Sequence, residues 1–159
     1  MGIAVGLAQY LLDRDIGYEL VPHPHTDTAS ASAAASGLPS DSVVKAVVLK
    51  RKNGFMLALL PASRQIQFDA LRQLLGENVD IANEEQIETL FPDCEPGSVP
   101  ALGAAYGLDV VMDDSLDRER DLYIEGGNHA HLVRVSATSF RKLMHGAPHG
   151  PFTGARKAA

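Results

Sequence analysis

Lys45 interrupts the run Ser42-Val-Val-Lys-Ala-Val-Val-Leu49, which otherwise has the composition of a buried strand. An ammonium group without a partner is costly to remove from water, so such a run accommodates one only for a reason. Two readings of it stand level. In one, the stem packs along the sheet and the charged head snorkels to the edge or meets a carboxylate. In the other, a lysine on a rigid strand projects into a pocket and holds an anionic or carbonyl-bearing substrate.

A second segment is the loop Asp93-Cys-Glu-Pro-Gly-Ser-Val-Pro-Ala-Leu-Gly103. Gly97 and Gly103 permit backbone conformations that other residues resist, and Pro100 stiffens the chain between them. A loop of this kind can aim several N–H groups at one oxygen, which is how backbone stabilises a developing oxyanion. The same composition also makes plain surface connections, and these are commoner. The third segment, Glu125-Gly-Gly-Asn-His-Ala-His-Leu-Val-Arg134, carries His129 and His131. They are expected to alternate at the start of a strand and face opposite sides of it.

With His23 and His25, these histidines raise the question of a metal. Both pairs are spaced i, i+2 and no tight Cys/His pairing accompanies them, so no metal is expected and a metal-dependent hydrolase using these four histidines is the minority reading. Cys94 lies between Asp93 and Glu95, whose charges should raise its pKa and argue against a nucleophilic role. There is no Gly-x-Ser-x-Gly elbow, Walker loop or dinucleotide fingerprint, and no cofactor is expected. The chemistry then rests on a lysine, a backbone loop and a histidine around a pocket.

The elements that must position these groups follow from periodicity and turn residues. Ile3, Leu7, Tyr10 and Leu11 have helical spacing, and Asp15-Ile-Gly17 ends that helix. Tyr18 to Val21 reads as a strand, and Thr28 as the cap of an alanine-rich helix, 29–36. Strands 43–51 and 55–60 are joined through Lys52-Asn-Gly54, a strong hairpin signal. Helices are predicted at 68–75, 84–90 and, capped by Ser136, up to Leu143. Further strands are predicted at 79–81, 109–112, 121–124 and 131–135. This irregular alternation implies an α/β fold with a mixed, largely antiparallel sheet and surrounding helices. One domain is expected over residues 1–145, followed by a flexible C-terminal tail at 146–159.

A chain of 159 residues suits one hydrophobic core rather than two. One cysteine allows no internal disulfide, no apolar run has the length of a membrane span, and the N-terminus lacks a basic secretory n-region. A cytoplasmic protein without a membrane partner is expected. The net charge of −6 argues against broad nucleic-acid binding, DNA included, while leaving room for a local patch from Lys45, Lys50, Arg51, Lys52 and Arg64. The simpler reading of Lys50, Arg51 and Lys52 is that they flank the hairpin turn.

Five stretches together resemble the YbaK family of prolyl-tRNA-synthetase-associated deacylases, an editing-domain family. They are His23-Pro-His-Thr-Asp-Thr28, Val43-Val-Lys-Ala-Val-Val48, Leu59-Leu-Pro-Ala-Ser63, Phe91 to Gly103, and Gly127-Asn-His-Ala-His-Leu-Val-Arg134. They occur in family order and cover Tyr18 to Met144. The resemblance implies hydrolysis of the ester joining a wrong amino acid to tRNA, in trans, without a metal. The partners implied are the aminoacyl-tRNA acceptor end and an aminoacyl-tRNA synthetase. It assigns Lys45, Gly97 and His129 to catalysis, and His25, Thr28, Ser98, Val99, Pro100, Ala101 and Gly127 to substrate binding. The loop departs from the family's Gly-x-x-x-Pro, because Pro100 follows Gly97 after two residues and Ala101 stands where relatives often have a second proline. That departure sustains a second reading: a non-catalytic module that binds a charged tRNA end, a nucleotide or an amino acid.

Overall fold

A computed structural model describes residues 3–155. The predicted elements are present: helices α1 (Val5–Asp13), α2 (Ala29–Ala35), α3 (Phe68–Leu75), α4 (Glu84–Leu90) and α5 (Ala137–Leu143). The strands are β1 (Glu19–Pro22), β2 (Val43–Arg51), β3 (Gly54–Pro61), β4 (Arg64–Ile66), β5 (Asp80–Ile81), β6 (Asp109–Asp113), β7 (Asp121–Glu125), β8 (His131–Ser136), β9 (His149–Gly150) and β10 (Thr153–Ala155). Eight of them form one mixed sheet in the order β1-β8-β7-β2-β3-β6-β9, with β5 against the far end of β2. The β2/β3 hairpin closes at Arg51 and Gly54, as the Asn-Gly signal predicts. Pairings β2/β7, β3/β6 and β6/β9 are parallel and the others antiparallel.

The two faces of β2 do different work. Val44, Ala46 and Val48 point into the main core, with Leu7 and Leu11 of α1, Phe91, and Phe140 of α5. On the opposite face, Val43 packs with Ala29 and Ala33 of α2, while Val47 and Leu49 pack with Leu71 of α3. By strand alternation Lys45 lies on this second face, between Val43 of one cluster and Val47 of the other. A half-buried lysine is therefore accommodated at the seam between two helices. The sequence could not locate that seam, because both faces of the strand are apolar.

The C-terminal segment differs from the expected flexible tail. β10 pairs with β4, β9 pairs with β6, and Phe152 is completely buried among Leu49, Met56, Leu71 and Val111. Asp113 accepts the Phe152 N–H at 2.9 Å, and Arg64 donates to the Thr153 hydroxyl at 2.6 Å. The segment has too few residues per element to show periodicity, so only its contacts reveal it as structured. The expectation for residues 156–159 lies outside the described residues.

Candidate active site

Lys45 is placed by register. In the parallel β2/β7 pair Val43 lies opposite Tyr123 and Val44 opposite Ile124. One step further sets Lys45 beside Glu125, and alternation turns both toward α2. Ser32 of α2 confirms that direction for Glu125, since its hydroxyl donates to the carboxylate at 3.0 Å.

Glu125 is only 3% exposed. Its second oxygen accepts from the Ser98 hydroxyl at 3.2 Å, and Ser98 is itself fully enclosed. The same Ser98 oxygen accepts the backbone N–H groups of Gly127 at 3.1 Å and His129 at 3.2 Å. With both lone pairs engaged, its one hydrogen is directed to Glu125. Burial pushes the Glu125 carboxyl above its ordinary range, and the Ser32 and Ser98 hydroxyls and nearby His129 and His23 oppose that rise.

His129 has φ 58°, a left-handed conformation unusual for a residue with a side chain. It therefore belongs to the turn before β8, and the expected strand alternation of His129 with His131 does not apply. Its Nε2–H donates to the Pro96 carbonyl, so the imidazole braces the 95–101 loop from inside. His23 is held similarly, with Nδ1–H donating to the Pro24 carbonyl at 2.7 Å. These contacts leave His129 Nδ1 and His23 Nε2 buried and without a hydrogen-bond partner among the described residues. Gly97 has φ 83°, and a Cβ there would lie 3.2 Å from both Asp27 O and His129 Cε1. The loop is thus pressed against the 23–28 segment and the 126–130 turn. The latter two are tied together by Thr26 N–H to His129 O at 3.1 Å and His23 N–H to Ala130 O at 2.9 Å.

Lys45, Gly97 and His129 therefore converge, linked through Glu125 and Ser98. His25 joins them at the surface, its ring 5.1 Å from that of His129 and its Nε2 3.8 Å from the Glu95 carboxylate. The side chains of the remaining expected substrate contacts are engaged within the fold. Ser98 faces inward, Val99 and Ala101 pack in the main core, and Pro100 is buried. The Thr28 hydroxyl accepts the Ala31 N–H as the α2 cap. A Cβ at Gly127 would lie 2.8 Å from that of Ala4 and 3.2 Å from Cys94 Sγ, so this glycine serves close packing. Ala101, the point of departure from the family loop, is completely buried.

Glu125 and Ser32 are the members that sequence reasoning missed, and His23 was weighed there only as a metal ligand. Glu125 carried a signal like that of Lys45: an ionisable residue ending the apolar strand Leu122-Tyr-Ile-Glu125, just before Gly126-Gly127. The basic patch does not assemble. Arg51 pairs with Glu77 at 2.7 Å and Asp109 at 3.1 Å, and Arg64 binds Thr153. Arg51 also lies six residues along β2 from Lys45, about 20 Å away. Beside Arg51 a groove of about 420 Å³, lined by Tyr10, Leu74, Leu102, Met144 and Pro148, contains none of the candidate groups. Arg51, Glu77 and Asp109 in its wall are occupied with one another. Burial, reinforced by Asp93, pushes the Cys94 thiol up to about 12, which suits an inert thiol. Among the described residues no three His, Cys, Asp or Glu side chains form a metal-binding group.

A profile of the aminoacyl-tRNA editing domain matches residues 23–143, well over half of the chain. The chain belongs to the aminoacyl-tRNA editing domain family. Relatives of this editing domain include the proline–tRNA ligase of Trichlorobacter lovleyi, 28% identical over 123 residues, which are 76% of this chain and 21% of the ligase. The ligase of Thermosipho africanus is 33% identical over 70 residues, 43% of this chain and 12% of the ligase. The chain thus spans about a fifth or less of the length of these relatives. Among solved structures, a hypothetical protein superposes with TM-score 0.83 at 19% identity, covering 94% of this chain and 99% of that one. A protein described provisionally as a trans-editing enzyme for prolyl-tRNA synthetase gives 0.82 at 24% identity, covering 94% and 96%. At such identities the likeness shows a shared fold, and it is the YbaK-like fold the sequence implied. Every group of the cluster lies within the matched editing domain. No helix among the described residues is long and apolar enough to cross a membrane.

Proposed function

We propose that this editing domain hydrolyses the ester of a mischarged tRNA, acting in trans in the cytoplasm and without a metal. The observation that carries this reading is the convergence of Lys45, the Gly97 loop and His129 at one end of β2, in a chain of the editing family. Action in trans draws support from the provisional trans-editing enzyme, which shares nearly its whole length with this fold.

An aminoacyl ester is already activated, so hydrolysis needs a positioned water and oxyanion support more than a protein nucleophile. Water attacks the ester carbonyl, the tetrahedral oxyanion collapses, and the ribose oxygen leaves with a proton. The Gly97 amide, in an exposed residue, donates to no acceptor among the described residues and is the candidate oxyanion donor. Lys45 holds the terminal ribose-phosphate or the aminoacyl group. His129 keeps the loop in shape through Pro96, and His25 lines the mouth. The acceptor end of tRNA is the partner, alone or presented by a synthetase. A second sieve is needed where a synthetase pocket cannot reject a small or isosteric amino acid, so alanine, cysteine, serine and threonine esters are the candidates.

The test is deacylation of tRNAs charged with alanine, cysteine, serine, threonine and proline, by wild type and Lys45→Ala, with and without EDTA. Rapid loss of one mischarged ester is expected, unaffected by EDTA and reduced at least about 100-fold by the substitution, the scale of losing one transition-state contact. Wild-type turnover by Lys45→Ala would sink the assignment of Lys45. Tight binding without turnover of any ester would instead establish the binding module.

A further inference from the structure

We propose that Glu125 is a positioning residue for the editing reaction, acting through Ser98 to clamp the Gly97 loop and the His129 turn in their working geometry. Its kinetic part rests on the deacylase reading above; the clamp itself does not.

The argument begins with the count of hydrogen-bonding sites on one oxygen. Ser98 Oγ receives two backbone N–H groups, from Gly127 and His129, and keeps one hydrogen to give. Glu125 is the acceptor that takes it, at 3.2 Å. Fixing that hydrogen fixes the rotamer, and the rotamer decides whether Ser98 Oγ can serve both amides. One of those amides belongs to His129, whose φ of 58° is unfavourable for a residue with a side chain and needs such support. His129 in turn braces the loop through Pro96, and Gly97 lies against the His129 ring. Glu125 thus reaches the reacting loop by two routes, through Ser98 within the loop and through His129 behind it.

Its other oxygen accepts from Ser32, which also contacts Thr26 at 2.8 Å, and so ties α2 and the 23–28 segment to the same carboxylate. A group with only a packing role would not need both oxygens engaged by hydroxyl donors in a nearly solvent-free position. Apolar residues fill such positions with less desolvation. The ionisable groups around Glu125 are His23 and His129 from the two flanking turns and, by register, Lys45 from β2.

Ionised Glu125 accepts from both serines. A protonated carboxyl has one acceptor oxygen fewer for these donors, so the clamp should loosen as pH falls. Glu125→Gln cannot titrate and, like the protonated carboxyl, has a single acceptor oxygen for the two serines, whereas Glu125→Ala leaves the Ser98 hydrogen unpaired in a buried place.

The experiment measures kcat and KM against pH for wild type, Glu125→Gln, Glu125→Ala and Ser98→Ala. In parallel, NMR follows hydrogen exchange of the Gly127 and His129 amides, with the Leu57 amide in β3 reporting global opening. The wild type should show an acid limb in kcat. Glu125→Gln should lose that limb and hold, across the pH range, the reduced kcat of the protonated wild type. Glu125→Ala and Ser98→Ala should each lower kcat about 30-fold with little change in KM. Both should speed exchange at Gly127 and His129 at least about tenfold relative to Leu57, the scale of leaving a buried polar group unsatisfied. Unchanged kcat in Glu125→Ala, or an unchanged acid limb in Glu125→Gln, overturns the positioning role. Wild-type protection of both amides in Glu125→Ala overturns the clamp. If the wild type cleaves no ester, the deacylase reading and the catalytic role fall together, and the exchange data alone decide whether the clamp exists.

Discussion

A few side chains in this molecule hold positions that their chemistry makes expensive, and each is justified by a contact. Glu125 is the clearest. Its folded-state pKa is raised, so the native state holds the proton more tightly than the unfolded chain. The sign follows: stability from this group is greatest below the ordinary carboxylate range and declines as pH rises through the raised folded value. Working geometry needs the ionised form, so activity and stability pull in opposite directions at this residue. Gly97 is a second case. Its φ of 83° lies where a side chain is strained, and a Cβ would press on the His129 ring. Gly97→Ala is expected to lose about 1–2 kcal/mol of stability from backbone strain, and to reduce kcat more than melting temperature suggests. Turnover and thermal melting of the purified variant check this; wild-type kcat would remove the loop from the mechanism.

At the scale of elements, the sheet brings the site together and the C-terminal segment closes the far side. β2 carries Lys45, β7 carries Glu125, and α2 covers both, so the site forms only when these pack. β10 and Phe152 close the second face where Leu49 and Leu71 meet. Phe152→Ala should destabilise the fold by about 3–5 kcal/mol, as for other buried phenylalanines. A urea midpoint close to wild type would show that this segment is dispensable. Asp113 adds a pH dependence. Burial alone would raise its carboxyl, but Ser115, the Phe152 amide and Thr153 together hold it below the ordinary value. A depressed carboxyl stabilises the fold above the unfolded-state pKa, and that contribution is lost as pH falls through the folded one. Asp113→Asn should therefore weaken the protein at neutral pH and flatten the acid dependence of its urea midpoint.

For the whole molecule the governing quantity is charge. At net −6, with Arg51 and Arg64 engaged within the fold, few cations remain to meet phosphates near Lys45. Binding to tRNA should then have a shallow salt dependence, log Kd against log salt rising with a slope of about 1–2, equivalent to two or three phosphate contacts on a single strand. Filter binding between about 50 and 200 mM salt reads this directly. A slope several times larger would require a basic surface that these residues do not provide.

The sequence by itself determined the elements, because local periodicity, caps and the Asn53-Gly54 turn act over a few residues. It also determined the family, because five short stretches occur in order. Lys45, Gly97 and His129 were visible as residues whose type conflicts with their surroundings or whose spacing permits a turn. Only the tertiary structure decided how Lys45 is accommodated, since a seam between α2 and α3 is a property of packing across the chain. Only it turned the side chains of Ser98, Val99 and Ala101 inward and revealed the Phe152 segment as structured. Only it joined Glu125 to Ser32 and Ser98, which lie 93 and 27 residues away in sequence. A hydrogen bond over such separations leaves no local pattern, because its partners are chosen by the closure of the sheet rather than by their neighbours in the chain.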